Sequence, residues 1–339
     1  MGGQTSMSMQ DKDRAAIEAF LAGSSLGDVR VISAERLSGG VSSDIWKVAL
    51  TDRTVVVKRA LPALRVAQVW EAPLSRNVNE ANWLEVVAGI APAAVPRVVH
   101  RDAEAAMFAM EHLDHPVWKS LLKAGAINPD FAAKVGDTVG LIHARTAGQP
   151  EIAERFDTGD TFNALRVEPY LLATARAHPD LADRLEPLAA ATLGTNRVLV
   201  HGDVSPKNIL VAQGPIILDA ECAWYGEPAF DLAFCLNHLL LKCLVVPSGT
   251  AALLTAFDRM TAAYLACVDW EPAAEVERRT ARLLPALLLA RIDGKSPVEY
   301  IDTEPERDRV RRIARPLIQT PPETLAAVRT AFHEGLDHV

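Results

Sequence analysis

Five short β-branched runs crowd the first third of this chain, and after Pro116 they stop. "VRVISAERL", "SDIWKVAL", "TVVVKRA", "RVVHRD" and "AMFAMEHL" fall between residues 29 and 113, several with Gly, Ser or Asp between them, the pattern of a small sheet. One helix interrupts it at about 76–90, where "RNVNEANWLEVVAG" carries Val78, Trp83, Val86 and Val87 at roughly helical spacing and Gly89 as a stop. Beyond Pro116 the period is helical, in "NPDFAAKVGDTVGLIHART", "FNALRVEPYLLATARAH", "DLADRLEPLAAATL" and most of 228–335. Strand character returns only over 197–219, as "RVLVHGD" and "NILVAQGPIILDA", with "AQG" as a hairpin turn. The segregation predicts an α+β fold of two lobes, a small mixed β-sheet N-lobe and a larger, mainly helical C-lobe that carries one hairpin. The expected divisions are a leader and first helix over 1–28, an N-terminal lobe over 29–114 and a helical lobe over 115–339. With 339 residues the chain is long enough for two sizeable cores.

The run "LVHGDVSPKNILV", residues 199–211, sets a His, two Asp or Asn side chains and a Lys between strongly apolar flanks. Folding 209–211 back on 215–219 brings Asn208, at the start of one strand, beside Asp219, at the end of the other. With Asp203, three oxygen-bearing side chains then converge. Such a donor set suits Mg²⁺, which takes one or two protein ligands and fills its shell with phosphate and water. One carboxylate, Asp203, is left to orient a hydroxyl, which is what phosphoryl transfer needs. The competing reading is that Asp203 and Asn208 make turn and cap hydrogen bonds at strand ends.

The sheet lobe offers matching parts. In "LSGGVSSDIWKVAL", Gly39, Gly40, Ser42 and Ser43 lie between two strands, where backbone N–H groups can approach phosphate oxygens, although a plain hairpin turn would have the same composition. Lys58 ends a run of three valines, and a buried ammonium needs an anion: a nucleotide phosphate, a carboxylate or both. Glu80, on the expected helix, is its natural carboxylate.

A net charge of −8 gives no electrostatic reason to expect nucleic acid or an anionic membrane as partner, so a small hydroxylated molecule is the expected one. Cys222, Cys235, Cys243 and Cys267 form no CxxC pair and are expected as buried thiols in a reducing compartment. "MGGQTSMSMQDKD" lacks the apolar core of a secretory signal and is expected as a disordered leader, and "AFCLNHLLLKCLVV" and "LLPALLLA" are too short or too interrupted to span a bilayer. A cytoplasmic protein is the expectation; oligomeric state is not legible.

The chain resembles the aminoglycoside phosphotransferase and choline kinase superfamily, whose members have a protein-kinase-like fold. "HGDVSPKN" matches the HxDxxxxN catalytic loop with Gly202 in place of the usual Arg, and "LDAECAWYGEPAFDLA" matches the metal-binding segment with the Asp231 that follows it. Within the superfamily "VVVKRALPALRVAQVWEAPLSRNVNEANWLEVV" is similar to the methylthioribose kinase branch, in its VKxALPxxR stretch, a Trp a few residues on, and Arg76 four residues before Glu80. The segment Trp224-Tyr225-Gly226 is similar to that branch as well. The resemblance implies ATP as phosphate donor, Asp203 as catalytic carboxylate, and Asn208 and Asp219 as Mg²⁺ ligands with Glu221 assisting. It implies further that Lys58 contacts the ATP phosphates while paired with Glu80, and that the backbone from Glu111 to Leu113, in "MEHL", faces adenine.

His201 is expected as a packed residue holding the loop, and Asp231 as an acceptor of the loop's backbone N–H groups. Lys207 either reaches the γ-phosphate or stays in solvent. Trp224 and Tyr225 either pack on a substrate or fill the core, and Arg291 is placed by the resemblance near the acceptor. Two departures from that branch, Asn208 where Ser is usual and a shorter chain, leave the acceptor open. A sugar-like hydroxyl compound is the first expectation, an amino alcohol or aminoglycoside the second. A pseudokinase regulator is the third, although Lys58, Asp203 and Asp219 are all retained.

Overall fold

Alternation along "SDIWKVAL" sends Trp46, Val48 and Leu50 to one face of a sheet, and neighbouring strands supply Val31, Val55, Val57, Met107 and Ala109 to the same layer. In the computed structural model, which describes residues 9–24, 26, 29–37, 43–61 and 73–337, that sheet comprises β1 (Val31–Arg36), β2 (Ser43–Leu50), β3 (Thr54–Ala60), β4 (Val98–Asp102) and β5 (Met107–Glu111), in the order β1-β2-β3-β5-β4. Helix α1 (Met9–Ala22) covers this face with Ile17, Phe20 and Leu21. On the other face Val56, Phe108 and Met110 meet Trp83, Leu84 and Val87 of α2 (Arg76–Ile90) in the core shared with the helical lobe. β3 is therefore covered on both sides, which is why it is written as an unbroken valine run.

Two expectations are corrected here. All four strand pairings are antiparallel, where a mixed sheet was expected. The crossover through α2 does lead to a strand parallel to β3, but β5 hairpins back from β4 and inserts between the two, so no parallel neighbours remain. The stretch expected as a disordered leader is helical in its described part, from Met9 on, and residues 1–8 lie outside the described residues. Asp13 of α1 is ion-paired to Arg59 of β3 at 2.9 Å.

The helical lobe runs through α3 (Trp118–Lys123), α4 (Pro129–Thr146), α5 (Pro150–Arg155) and α6 (Gly159–Phe162) into a π-helical stretch, Asn163–Leu172, that continues as α7 (Ala173–Ala177). After α8 (Ala182–Leu193) come β6 (Val198–Val200), β7 (Ile209–Val211), β8 (Pro215–Ile217) and β9 (Trp224–Gly226). Four long helices follow, α9 (Pro228–Val245), α10 (Thr250–Ala266), α11 (Ala273–Asp293) and α12 (Glu304–Gln319), and then α13 (Leu325–Asp337). β7 and β8 form the expected hairpin; β9, not expected, pairs with β6. Asn128 caps α4 by accepting from the Asp130 and Phe131 N–H groups, and Glu227 caps α9 through the Ala229 N–H.

Helix α9 is the one described helix long and apolar enough to cross a membrane, and 89% of its apolar window is buried inside the fold. Apolar on all sides, it is the centre of the lobe rather than a span, as expected. The four cysteines are free thiols; Cys222, Cys235 and Cys243 are buried, whereas Cys267 is only half-buried, at the surface end of α10.

Candidate functional site

Lys58 sits in the middle of β3 on the face that looks toward α2, and Glu80 lies on the buried face of α2 with Arg76, Ala81 and Leu84. The Lys58 ammonium donates to both Glu80 oxygens at 2.7 Å and to Asp219 Oδ1 at 2.7 Å. Only 2% of Lys58 and 1% of Glu80 is exposed, so these charges are matched almost entirely by one another. Burial pushes the Glu80 carboxyl up to about 7, against the pull of the ammonium. At Asp219 burial works in the same upward direction, but Lys58 and Lys207 outweigh it and hold the carboxyl well below the usual range. Lys58 itself is pulled down by burial and raised more by Asp219 and Glu80. Asp219 adopts a left-handed backbone, φ 68°, just after β8, with the Leu218 N–H donating to Asn208 O at 2.8 Å. A strained non-glycine residue at the open end of a hairpin, beyond its last strand pair, marks a place where side-chain direction outranks backbone comfort.

The polar run 201–208 is held by its surroundings. Asp231, in the first turn of α9, accepts from the His201 N–H at 2.7 Å and the Gly202 N–H at 2.8 Å, as expected. His201 Nδ1 accepts from the Asp203 N–H at 3.0 Å, which leaves Nε2–H to donate to Leu218 O at 3.1 Å, and Trp83 meets the ring edge-on. Burial keeps that imidazole below its usual pKa, as befits a loop brace. Gly202 has φ +78°, and a Cβ there would lie 2.8 Å from Cys222 O, so the arginine usual at this position has no room.

The arginine comes from elsewhere. Arg166, on the π-helical stretch, places Nη2 2.8 Å from Asp203 Oδ2 and donates through Nε to Gly202 O at 2.6 Å. Lys207, whose side chain is 53% exposed, approaches the same Asp203 oxygen at 3.1 Å. Burial favours the neutral form of Asp203, but Lys207 and Arg166 prevail and keep it an anion. Arg166 escaped the sequence reading because only its position between Leu165 and Val167 hints at burial, and because a π-helix shifts the phase that helical spacing assumes.

The hairpin and loop bring Asp203, Asn208 and Asp219 together with Lys58 and Glu80. Asn208 Nδ2 donates to Asp203 O at 3.1 Å, and Asn208 with Asp219 forms a two-oxygen donor set at the cleft, which fits the sparse protein ligation of Mg²⁺. Among the described residues no group of three or more His, Cys, Asp or Glu side chains could hold a metal by itself. Glu221 is buried with its Oε2 3.3 Å from Arg76 Nε. Ser43 is buried at the start of β2, whereas Gly39, Gly40 and Ser42 lie outside the described residues. Glu111 closes β5, its N–H committed to Arg97 O at 3.0 Å, and Leu113 follows in the extended link to the helical lobe.

Trp224 and Tyr225 are core residues: Trp224 stacks on Phe162 at 4.3 Å, and the Tyr225 N–H donates to Phe156 O. β9 pairs with β6, and Trp224 and Tyr225 also line a cavity of about 260 Å³ with Phe156, Gly159 and Asn196. Arg291, near the end of α11, is buried and reaches the Tyr170 hydroxyl at 3.0 Å, one turn along from Arg166.

Comparison with known proteins agrees with this geometry. The chain is 31% identical to the methylthioribose kinase of Pectobacterium atrosepticum over 253 residues, which is 64% of this chain and 62% of that protein. It is 27% identical to that of Yersinia pseudotuberculosis over 247 residues, 64% of this chain and 61% of that one. The chain thus spans a little under two thirds of the length of the curated relatives it matches. Among solved structures, an aminoglycoside phosphotransferase from Alicyclobacillus acidocaldarius superposes with TM-score 0.52 at 14% identity, covering 95% of this chain and 96% of that one. An amicoumacin kinase in complex with AMP-PNP and Ca²⁺ superposes with TM-score 0.51 at 13% identity, covering 86% and 90%. Both share the fold, the bilobal protein-kinase-like architecture expected above. The profile of the phosphotransferase enzyme family, abbreviated APH, matches residues 33–276, from the first sheet strand into α11 and so on both sides of the cleft, and the chain belongs to that family.

Proposed function

We propose that the protein is an ATP- and Mg²⁺-dependent kinase that transfers the γ-phosphate to a hydroxyl of a small, sugar-like metabolite. The observation that carries this reading is the Lys58 ammonium bridging Glu80 and Asp219 at 2.7 Å, directly beside the loop on which Asp203 is held as an anion. The methylthioribose kinase relatives support a sugar-like acceptor. Retention of Lys58, Asp203 and Asp219 supports turnover rather than a regulatory pseudokinase.

Glu80 fixes the Lys58 ammonium where nucleotide phosphate oxygens would reach it. Asn208 and Asp219 would hold Mg²⁺, which, when bound, neutralises charge on the transferring phosphate. Asp203 accepts a hydrogen bond from the acceptor hydroxyl and aligns its lone pair with the γ-phosphorus. The acceptor O–P bond forms as the bond from phosphorus to the β–γ bridging oxygen breaks; ADP leaves, and the hydroxyl proton passes to the Asp203 carboxylate. Arg166 and Lys207 keep that carboxylate ionised, and Arg166 with Asp231 holds the loop in place.

The test compares ADP release by wild type, Asp203→Asn and Asp219→Asn across a panel of hydroxylated metabolites. Asp203→Asn is expected to lower kcat by about 10²-fold or more, with Mg-ATP affinity near wild type. Asp219→Asn is expected to raise the Mg²⁺ requirement instead. Turnover retained in Asp203→Asn would sink the assignment.

A further inference from the structure

Past Asp203, along α9, basic side chains gather where, among the described residues, the one acid whose field reaches both Lys242 and Arg291 is the exposed Glu299. Phe234, His238 and Lys242 recur every fourth residue and share one face of that helix. Phe234 lies 5.7 Å from the Arg166 guanidinium, and His238 packs on Phe234 with ring centres 5.6 Å apart. His238 Nδ1 is 2.9 Å from the Tyr300 hydroxyl, and the Lys242 ammonium sits 4.1 Å from the centre of the Tyr300 ring. From the opposite wall Arg291 meets Tyr170, whose ring faces Arg166. The strip is therefore continuous from Asp203 to Lys242.

Lys242 is 2% exposed and Arg291 8%, yet among the described residues neither has a carboxylate within ion-pair distance. Arg291 Nε is buried without a hydrogen-bond partner. Glu299, whose field reaches Lys242, is exposed and engaged with Lys119. The Tyr300 ring face offsets one charge in part. Burial first, then Lys119 and Lys123, brings Lys242 down to about 8 despite Glu299. Burial, with Arg291, Lys242, Lys207 and Lys119, keeps His238 neutral. Arg291 Nη1 donates to the Ser296 carbonyl, to Ser296 Oγ at 3.2 Å and to the Tyr170 hydroxyl, but these neutral groups leave its charge uncancelled, and a buried cation without a counter-anion is unfavourable until a ligand supplies one. A cationic acceptor would worsen this imbalance, and a neutral one would leave it standing.

Resting on the kinase reading above, we propose that the acceptor is an anionic hydroxylated metabolite, its carboxylate or phosphate held by Lys242 and Arg291 while its hydroxyl lies at Asp203. The two sources of that charge, a sugar acid and a sugar phosphate, are separated by the substrates used.

The experiment measures ADP release with matched sets long enough to reach along two turns of α9: ribose, ribonate and ribose 5-phosphate; glucose, gluconate and glucose 6-phosphate. Calorimetry of the same compounds without nucleotide runs alongside. Lys242→Met keeps the buried stem and deletes only the charge, so it is expected to melt no lower than wild type. Wild type is expected to favour an anionic member of a set by about tenfold or more in kcat/KM, and Lys242→Met to lose that preference through KM rather than kcat. In wild type the preference is expected to fade above about pH 8, as the ammonium loses its proton. Preference for the neutral members would overturn this inference and leave the kinase reading standing. Anion binding that disappears in Lys242→Met, with no turnover of any compound, would uphold the anion site and overturn the kinase reading. Absence of anion binding in wild type would overturn the inference.

Discussion

Replacing Arg166 by Met removes the positive charge buried against Asp203 while roughly keeping the volume of the stem. Two unit charges 2.8 Å apart, the Arg166–Asp203 separation, attract by about 6 kcal/mol at an effective dielectric of about 20. Desolvation offsets much of that in the intact pair, so the cost appears when one partner is removed and the other stays buried, at about 3–5 kcal/mol. Lys207 remains near Asp203 but is half-exposed, which places the expected loss at the low end, about 3 kcal/mol at pH 7. Arg166 also donates to Gly202 O and Leu165 O, and those contacts would be lost as well.

A double-mutant cycle with Asp203→Asn separates the terms, because the carbonyl contacts persist in the Asn background. A coupling of about 2–3 kcal/mol by urea unfolding is expected. The pH dependence has a definite sign. Asp203 in the folded wild type lies below its unfolded value of about 3.9, so its contribution is present above that value and is lost as pH falls through the folded one. Without Arg166, burial raises the carboxyl, which takes up a proton at higher pH than in wild type. The stability gap between wild type and Arg166→Met should therefore narrow on acidification. A gap that is flat with pH, or a coupling near zero, would refute the claim that Arg166 holds Asp203 ionised.

Lys58→Ala should weaken Mg-ATP binding by about tenfold or more in calorimetry, since a charge-assisted phosphate contact is removed and Glu80 is left buried without its cation; equal affinity would remove Lys58 from the nucleotide site. Gly202→Ala forces a Cβ into a left-handed residue against Cys222 O, and the backbone strain alone should cost about 1–2 kcal/mol, with further loss as the loop shifts. Unfolding curves that superpose on wild type would show that the loop accommodates the methyl group.

Much of the architecture is written locally. The five β-branched runs became the five strands of one sheet, the spacing of Trp83 and Val87 became α2, and "AQG" became the turn between β7 and β8. The two-lobed order was legible because strand and helix periods occupy separate parts of the chain. The grouping of the candidate site was legible too, since Asp203, Asn208 and Asp219 lie on one hairpin and its approach. Lys58 and Glu80 were paired from the need of a buried ammonium for a carboxylate, and they meet at 2.7 Å.

What only the tertiary structure decided rests on contacts between residues far apart in sequence. Insertion of β5 between β3 and β4 made every pairing antiparallel, a choice no single strand encodes. Pairing of β9 with β6 turned Trp224 and Tyr225 into the core, although as a three-residue segment β9 carries too little alternation to be seen. Arg166 reached Asp203 across 36 intervening positions by way of a π-helical phase shift, taking up the space beside a loop where Gly202 has none. The unanswered charge of Lys242 and Arg291 emerged only once α9, α11 and the Tyr300 segment were packed together, because a lysine in an apolar helix looks the same in sequence whether its head finds water, a carboxylate or neither.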